Sequence, residues 1–174
     1  MKKLFFFLLF SCSTAVLWAQ QQVNIDKRVS VTFPETAQSQ SSEYGAMWFG
    51  PVAGDVTKAM AMSISIPMSS FNQDSAAIAT YYDDPEFTKG LVSGMLGKLP
   101  GVKLISQKKT TKQGRKGYIM DLEKETPDEQ FPYKKLYILV IFAGDNIYLQ
   151  AVYAASGIDA SSAKNTFFDS FRVK

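Results

Sequence analysis

A run of seven apolar residues near the end of the chain, LYILVIF at positions 136–142, constrains the fold more than any other feature. Side chains alternate between the two faces of a β-strand, so a strand that is apolar on both faces must be covered on both. Gly144, Asp145 and Asn146 follow as a hairpin signal, and the strand pattern NIYLQAVYAAS comes next. The sequence therefore predicts a central strand with a layer of structure above and below it.

Period-two alternation of apolar and polar residues predicts further strands around this centre. Pro34 ends the first of them, because proline cannot donate a hydrogen bond to a sheet. KAMAMSISIP at 58–67 carries only Ala and Ser on one face, which predicts close packing of another layer there. ETAQSQSS at 35–42 is polar and predicts a loop. The other strand patterns are VSVTFP (29–34), YGAMWFGPVAGD (44–55), VKLISQKKTT (102–111) and RKGYIMDLEKE (115–125), the last two joined by a tight turn at 112–114.

The middle of the chain carries helical signals. NQDSAAIATYYDD offers Asn72 or Asp74 as the N-cap of a first helix. Asp84 as a cap, with Pro85 at the first helical position, predicts a second helix over residues 85–98. The apolar residues of this second helix fall on a single stripe, which predicts that it packs against the sheet.

A last helix is predicted from about Asp159, its expected cap, to about Phe171. Phe167 and Phe171 share one face of that helix, and Phe168 flanks them. We expect the three phenylalanines to pack on one face of the sheet with helix 85–98 beside them. Burial of each ring contributes about 1.5–3 kcal/mol, so together they hold down the chain end.

The first 19 residues have the layout of a secretory signal peptide. Lys2 and Lys3 precede an apolar stretch, and Ala19 is a small residue at a suitable cleavage position. Cys12 leaves an alternative open, because LFSC resembles the lipobox of bacterial lipoproteins, in which the cysteine is acylated. The sequence predicts an exported protein, periplasmic or associated with the outer envelope, with no transmembrane span after signal cleavage. The predicted division is a signal peptide (1–19), a flexible lead-in (20–28) and a single domain (29–174).

Missing residue types exclude several activities. The chain has no histidine, and Cys12 is its only cysteine. Ser-His-Asp and Cys-His hydrolases and ordinary zinc or copper sites are therefore excluded, because histidine is the usual base near neutral pH and the commonest metal ligand. Loss of Lys2 and Lys3 with the signal brings the charge close to balance, which gives no reason to expect nucleic-acid binding. Carboxylate-only chemistry and Ser-Lys pairs stay possible in principle, but no motif indicates them. We predict no catalytic residue, no metal and no cofactor, and a protein that is not an enzyme.

Three segments carry a resemblance to the PsbP-like superfamily: VSVTFP near the mature start, YILVIFAGDNIYLQAVYAAS late in the chain and AKNTFFDSFRV at the end. The similarity spans most of residues 28–173. It implies an α+β fold in which an antiparallel sheet of about six or seven strands is sandwiched between helices. The family includes an extrinsic photosystem subunit, Ran-binding import factors and many exported bacterial proteins. The resemblance thus implies a role in assisting larger assemblies and carries over no functional residue.

A cluster of cations around the turn at 112–114 is a candidate contact for an anionic partner, such as a lipid head group, an acidic glycan or an acidic protein face. The alternative is a solvated turn whose lysines discourage edge-to-edge pairing. No aromatic residue is interleaved in the turn, so nucleic acid is not expected, whereas peripheral membrane association stays open. The five residues are Lys108, Lys109, Lys112, Arg115 and Lys116.

An acidic stretch follows on the next predicted strand. Asp121, Glu123 and Glu125 share one strand face, so their mutual repulsion predicts relief by solvent or by lysines such as Lys103. No opposing carboxylate pair of the kind a glycosidase needs can be placed from the sequence.

Two functions are favoured by these residues, and an enzyme is the third hypothesis. The leading hypothesis is a non-enzymatic exported domain that binds or stabilises another protein or an envelope component. The alternative is a carrier of a small apolar ligand or lipid, held between helix 85–98 and the sheet.

Overall fold

The computed structural model describes residues 20–52 and 54–174. The predicted signal peptide over 1–19, with Cys12 inside it, lies outside the described residues. The helices are α1 (Ser75–Tyr81), α2 (Pro85–Leu96) and α3 (Ser161–Asp169), with a short 3-10 helix at Met68–Phe71. The strands are β1 (Gln21–Asn24), β2 (Val29–Phe33), β3 (Gln38–Ser42), β4 (Gly45–Pro51), β5 (Ala59–Pro67), β6 (Val102–Lys112), β7 (Arg115–Lys124), β8 (Tyr133–Ala143), β9 (Asn146–Ala155) and β10 (Arg172–Val173).

The main sheet has seven strands in the order β3-β4-β5-β9-β8-β7-β6, and every neighbouring pair is antiparallel. This confirms the predicted α+β fold with an antiparallel sheet of about six or seven strands. The continuously apolar strand β8 lies inside the sheet between β9 and β7. Its residues Ile138, Val140, Ile141 and Phe142 are at most 6% exposed, so both of its faces are covered as its pattern requires.

Two separate cores lie on the two faces of the main sheet. On one face, α1, α2 and the 3-10 helix pack on Leu136, Ile138, Val140 and Phe142. On the other face, α3 and a second sheet of three strands, β1-β2-β10, pack on the remaining residues of β8. The small residues of β5 face this second layer: Ala59 and Ala61 are fully buried there. Their size allows the close approach that the pattern predicted.

The expectation that helix 85–98 lies beside the terminal phenylalanines is wrong. Phe167, Phe168 and Phe171 belong to the core under α3, whereas the apolar stripe of α2 belongs to the core on the opposite face. Phe167 lies against Phe33 of β2, with ring centroids 4.9 Å apart. The second sheet supplies the neighbours that the sequence assigned to a helix. Each face of β8 is thus covered by a different kind of layer.

Three short polar segments form strands that the sequence did not indicate. Residues 20–28 were expected as a flexible lead-in, but Gln21–Asn24 pair along β2 as β1. Residues 38–42, inside the predicted polar loop, form the edge strand β3 against β4. Arg172–Val173 pair with β2 as β10. Backbone hydrogen bonds to a neighbouring strand hold such segments, and they leave little hydrophobic pattern in the sequence.

The predicted helix starts are confirmed for the two middle helices. Asp74 Oδ1 accepts a hydrogen bond from the Ala77 amide at 2.7 Å at the start of α1. Asp84 Oδ1 accepts one from the Glu86 amide at 2.9 Å, with proline in the first turn of α2. Asp159 is not the cap of α3: the cap is the next residue, although Asp159 Oδ1 accepts a hydrogen bond from the amide of Ser161 at 2.9 Å.

Asp26, in the turn between β1 and β2, ties the small sheet to the main one. Its Oδ2 accepts a hydrogen bond from the Tyr148 hydroxyl of β9 at 2.6 Å, and its Oδ1 accepts from the amides of Arg28 and Val29. Burial works to raise the pKa of Asp26, but the hydrogen bonds from Tyr148 and the two amides outweigh it and hold the pKa below its ordinary value. The ionised carboxylate therefore stabilises the packing of the two sheets.

Candidate functional site

An open groove of about 510 Å³ runs between helix α2 and the main sheet. Its volume lies in the range of pockets that hold small molecules, roughly 300–1,000 Å³. The walls are overwhelmingly apolar, which suits a ligand with a hydrocarbon body. The residues that line it are Tyr44, Met62, Ile66, Phe71, Gly90, Leu91, Gly94, Met95, Lys98, Leu99, Ile138, Val140, Ile147, Leu149 and Tyr153.

Two glycines lie on the helix side of the groove, together with Leu91 and Met95. Gly90 and Gly94 are one helical turn apart in α2, so they lie on one side of the helix. A Cβ atom added at either position would meet no atom within 4 Å, so no neighbouring segment packs there. Glycine inside a helix costs about 0.8–1.0 kcal/mol relative to alanine. The chain therefore gives up helix stability at two positions and leaves open space beside the groove.

The N-terminal end of α2 lies at one end of the groove. Helix α2 begins near the row of the sheet that contains Ile66 and Ile147, which pair with each other across β5 and β9. Phe87, in the first turn of α2, lies 6.1 Å from the ring of Phe142, and Phe142 pairs with Ile147. Among the described residues that line this end of the groove, Tyr44 in the β3–β4 turn is the only one with a polar side-chain group.

The other end of the groove is the polar one. After α2, the Val102 amide donates a hydrogen bond to the Leu99 carbonyl at 3.2 Å, and β6 then starts beside β7. Leu104 of β6 lies in a row of cross-strand pairs that runs through Tyr153 of β9 and on to Met60 of β5. Lys98, which precedes Leu99, is thus on the same end of the groove as Tyr153. The row is Leu104, Leu122, Leu136, Tyr153 and Met60.

Lys98 and Tyr153 provide the polar groups at this end of a mostly apolar lining. Lys98 is the one charged side chain among the described residues that line the groove, and it makes no ion pair within residues 20–52 and 54–174. The Tyr153 hydroxyl has only the Met62 sulfur as a contact in the described part of the chain, at 3.9 Å. Burial raises the pKa of Tyr153 to about 12, so its hydroxyl stays protonated and able to donate.

The predicted cationic cluster is divided between the two faces of the β6–β7 hairpin. Lys109 and Lys116 lie on the α1 side, where both are over the ring of Tyr82, at 5.3 and 4.8 Å from its centroid. Both also form ion pairs with Asp83, at 2.6 and 3.7 Å. The hydrogen bond from Lys109 is the main reason that the pKa of Asp83 is lowered. These two lysines are therefore engaged within the domain.

The remaining three cations lie on the α3 side of the hairpin. Lys112 forms an ion pair with Asp169 at the end of α3. Lys108 and Arg115 make no ion pair within the part of the chain that the structure describes. Of the five predicted contact residues, Lys108 and Arg115 thus remain available to an external anion.

The acidic face of β7 is neutralised by lysines, as the sequence indicated. Glu125 pairs with Lys103, and Glu123 pairs with Lys134 at 2.9 Å. Lys164 of α3 is 3.8 Å from Asp121. These ion pairs therefore connect neighbouring strands and attach α3 to the sheet. Within residues 20–52 and 54–174, no group of three or more His, Cys, Asp or Glu side chains is placed to hold a metal ion.

None of the helices described here combines the length and the apolar character needed to cross a membrane.

No protein-family model matches the sequence, and no curated protein matches it significantly. Solved structures do match. The solution structure of cyanobacterial PsbP from Synechocystis sp. PCC 6803 has a TM-score of 0.60 at 13% identity, covering 95% of this chain and 99% of the other. This chain has the PsbP-like fold.

A second structure shares the PsbP-like fold at lower similarity. The Ran-binding protein Mog1p from Saccharomyces cerevisiae has a TM-score of 0.52 at 8% identity, with 90% of this chain and 96% of that chain covered. The resemblance that the sequence motifs indicated is confirmed at the level of fold. At these identities the two structures show the fold of this domain and give no information about its site.

Sequence reasoning located the space between helix 85–98 and the sheet but not the residues that line it. Met62 and Ile66 of β5 alternate as core residues do, and nothing in their pattern shows that no layer covers them. Gly90 and Gly94 were the one available signal, because two glycines one turn apart weaken an otherwise well-capped helix. Lys98 and Tyr153 carry no signal, since a lysine after a helix and a tyrosine in a strand are both ordinary.

Proposed function

We propose that this protein is an exported, non-enzymatic binding domain that carries a small apolar ligand in the groove beside α2. The observation that carries the proposal is the open, apolar groove of about 510 Å³, with Gly90 and Gly94 left bare along its helix side. An unoccupied groove of this kind would expose Met62, Ile66 and Leu149 to water at a cost of about 25 cal/mol for each Å² of apolar surface. A ligand removes that surface from water.

The absence of histidine from the whole chain and of cysteine from residues 20–174 supports a role in binding. The usual general base near neutral pH and the usual activated thiol are both missing. The expectation that the protein is not an enzyme is therefore part of this proposal. Its export stays part of the proposal too, and rests on the signal-like residues 1–19. Intact-mass spectrometry of the processed protein tests it, since a start at Gln20 and an acylated Cys12 give different masses.

The decisive experiment fills the groove from the helix. A Cβ built on Gly94 meets no atom within 4 Å, so the leucine side chain of Gly94→Leu has space to enter the groove. The substitution should therefore narrow the groove, and it should stabilise the helix because leucine has a higher helix propensity than glycine. The neutral fluorophore N-phenyl-1-naphthylamine should bind the wild-type protein and bind Gly94→Leu at least about tenfold more weakly, a difference of about 1.4 kcal/mol.

Ser93→Leu is the matched control, because Ser93 is an exposed residue of the same helix that does not line the groove. It should bind the fluorophore like the wild type. Urea denaturation of all three proteins separates loss of the site from loss of the fold. Failure of the wild type to bind any apolar fluorophore, or equal binding by Gly94→Leu, would refute a ligand role for the groove.

A second candidate function is a protein contact through the edge strand β6, and it continues the leading hypothesis from the sequence. Leu104 and Ile105 are 36% and 62% exposed on this edge, next to a bulge that interrupts pairing with β7. Lys108 follows on the same strand, and Arg115 lies across the turn, so the edge suits a partner with an acidic surface. Crosslinking from native envelopes should recover such a partner with the wild type and lose it with Ile105→Lys.

A further inference from the structure

We propose that the ligand of the groove is the anion of a single-chain amphiphile, a long-chain carboxylate whose head group binds at the Lys98–Tyr153 end. This inference rests on the proposed carrier function and adds the class of ligand and its orientation. Three features of the groove support it: the position of the one charge among its described lining residues, the Tyr153 hydroxyl, which in the described structure contacts only a thioether, and the direction of its apolar floor.

The charge on the lining is of one sign and at one end. Lys98 contributes a positive charge at the end of α2, and no carboxylate lines the groove among the described residues. At the opposite end, Tyr44 is next to the acidic residue Glu43 in the chain, and no cation lines the groove there among the described residues. An anionic head group is therefore attracted to the Lys98 end.

Tyr153 provides a hydrogen-bond donor where that head group would lie. Its hydroxyl contacts only the sulfur of Met62, which is a weak acceptor, so its donor capacity is almost unused in the described structure. Buried hydroxyls are normally paired, and an unpaired one costs free energy. A carboxylate oxygen is a stronger acceptor than a thioether and would satisfy this donor. A neutral hydrocarbon would leave it unsatisfied.

The floor of the groove fits an extended chain. From Tyr153 it continues along β9 through Leu149 to Ile147, three residues on the same face of one strand. Ile147 and Tyr153 are six residues apart, and a strand rises about 3.3 Å per residue, so the floor is roughly 20 Å long. It is lined by helix α2 on one side with two glycines, which leave a channel along the helix. An extended apolar groove with a charged residue at one end matches one acyl chain better than a compact ring system.

The test compares two ligands that differ only in the head group. Hexadecanoate and hexadecan-1-ol, each below the concentration at which it aggregates, compete with N-phenyl-1-naphthylamine for the purified protein. Hexadecanoate should bind about fivefold more tightly than the alcohol, the upper value for an exposed ion pair of about 1 kcal/mol. Lys98→Gln should abolish that difference, and Tyr153→Phe should weaken hexadecanoate binding about two- to tenfold.

Lys89→Gln is the matched control, because it removes one charge from an exposed position of the same helix outside the groove. It should leave both affinities unchanged. Equal affinity for the two ligands, unaffected by Lys98→Gln, would overturn the assignment of an anionic head group while leaving the carrier function intact. Failure of both ligands and of the fluorophore to bind would overturn the carrier function itself.

Discussion

Replacing the two groove glycines with alanine should stabilise this protein. Gly90 and Gly94 lie inside α2, and a Cβ at either site would meet nothing within 4 Å, so an alanine methyl causes no steric clash. Each Gly→Ala change in a helix interior contributes about 0.8–1.0 kcal/mol, and somewhat less near a helix end. Because Gly94 is close to the end of α2 at Leu96, we expect about 1.5 kcal/mol for the double variant.

Gly101 provides a control that isolates backbone conformation. A Cβ at Gly101 would also meet nothing within 4 Å, but its φ is +75°, in the left-handed region. Gly101→Ala should therefore destabilise the protein by about 1 kcal/mol, because alanine is strained there. An added Cβ has free space at all three positions, so only the backbone angle at Gly101 predicts that alanine there lowers the stability instead of raising it.

Urea denaturation followed by circular dichroism measures both changes, with the midpoint shifting at constant m value. In a thermal melt the double alanine variant should gain about 3–6 °C. A double variant less stable than wild type would show that something packs against the glycine side of α2 in solution. A stabilised Gly101→Ala would show that the reasoning from φ is wrong.

Three further predictions follow from other parts of the fold. Phe171→Ala should lower the free energy of unfolding by about 3–5 kcal/mol, since its ring is 1% exposed, whereas Phe71→Ala, at 50% exposure, should cost under about 1 kcal/mol; similar losses for both would contradict the assignment of the core. Because the pKa of Asp26 is lowered, its carboxylate stabilises the fold above the ordinary pKa of 3.8, and that stability is lost as pH falls through the lowered folded value. Asp26→Asn should thus be about 1–3 kcal/mol less stable near pH 7, and its deficit in urea unfolding should shrink below pH 3.8; a constant deficit would be inconsistent with this. Charge reversal of Lys108 and Arg115 should weaken binding to vesicles that contain anionic lipid, and unchanged sedimentation with such vesicles would remove the external-anion role of the hairpin.

The parts of the fold that the sequence predicts are those in which side chains determine the local structure. LYILVIF indicates a strand covered on both faces, and Asp84 followed by Pro85 indicates the start of a helix. β3, β1 and β10 were missed because their stability comes from backbone pairing with strands distant in sequence. Helix α2 was placed on the wrong face because an amphipathic stripe shows that a helix packs on a sheet and does not show on which side.

The groove itself follows from a mismatch in width between the layers of the fold. Seven strands spaced about 4.8 Å apart form a sheet roughly 29 Å across, whereas a helix with its side chains covers about 10 Å. On the α3 side the second sheet fills the difference. On the other side α1 contacts β8 and α2 contacts β6, so the part of the sheet formed by β5 and β9 has no complete cover.

An incomplete layer can result from packing alone, but the two glycines favour the proposed site. If the gap had no occupant, larger residues at positions 90 and 94 would cover part of Met62 and Leu149 and would also strengthen the helix, so both effects would favour replacing the glycines. The chain has glycine at both positions, at a combined cost of about 1.5 kcal/mol. A ligand that occupies this space would explain why the chain has glycine at both positions despite the loss of helix stability. The stabilised double alanine variant should accordingly bind its ligand more weakly than the wild type.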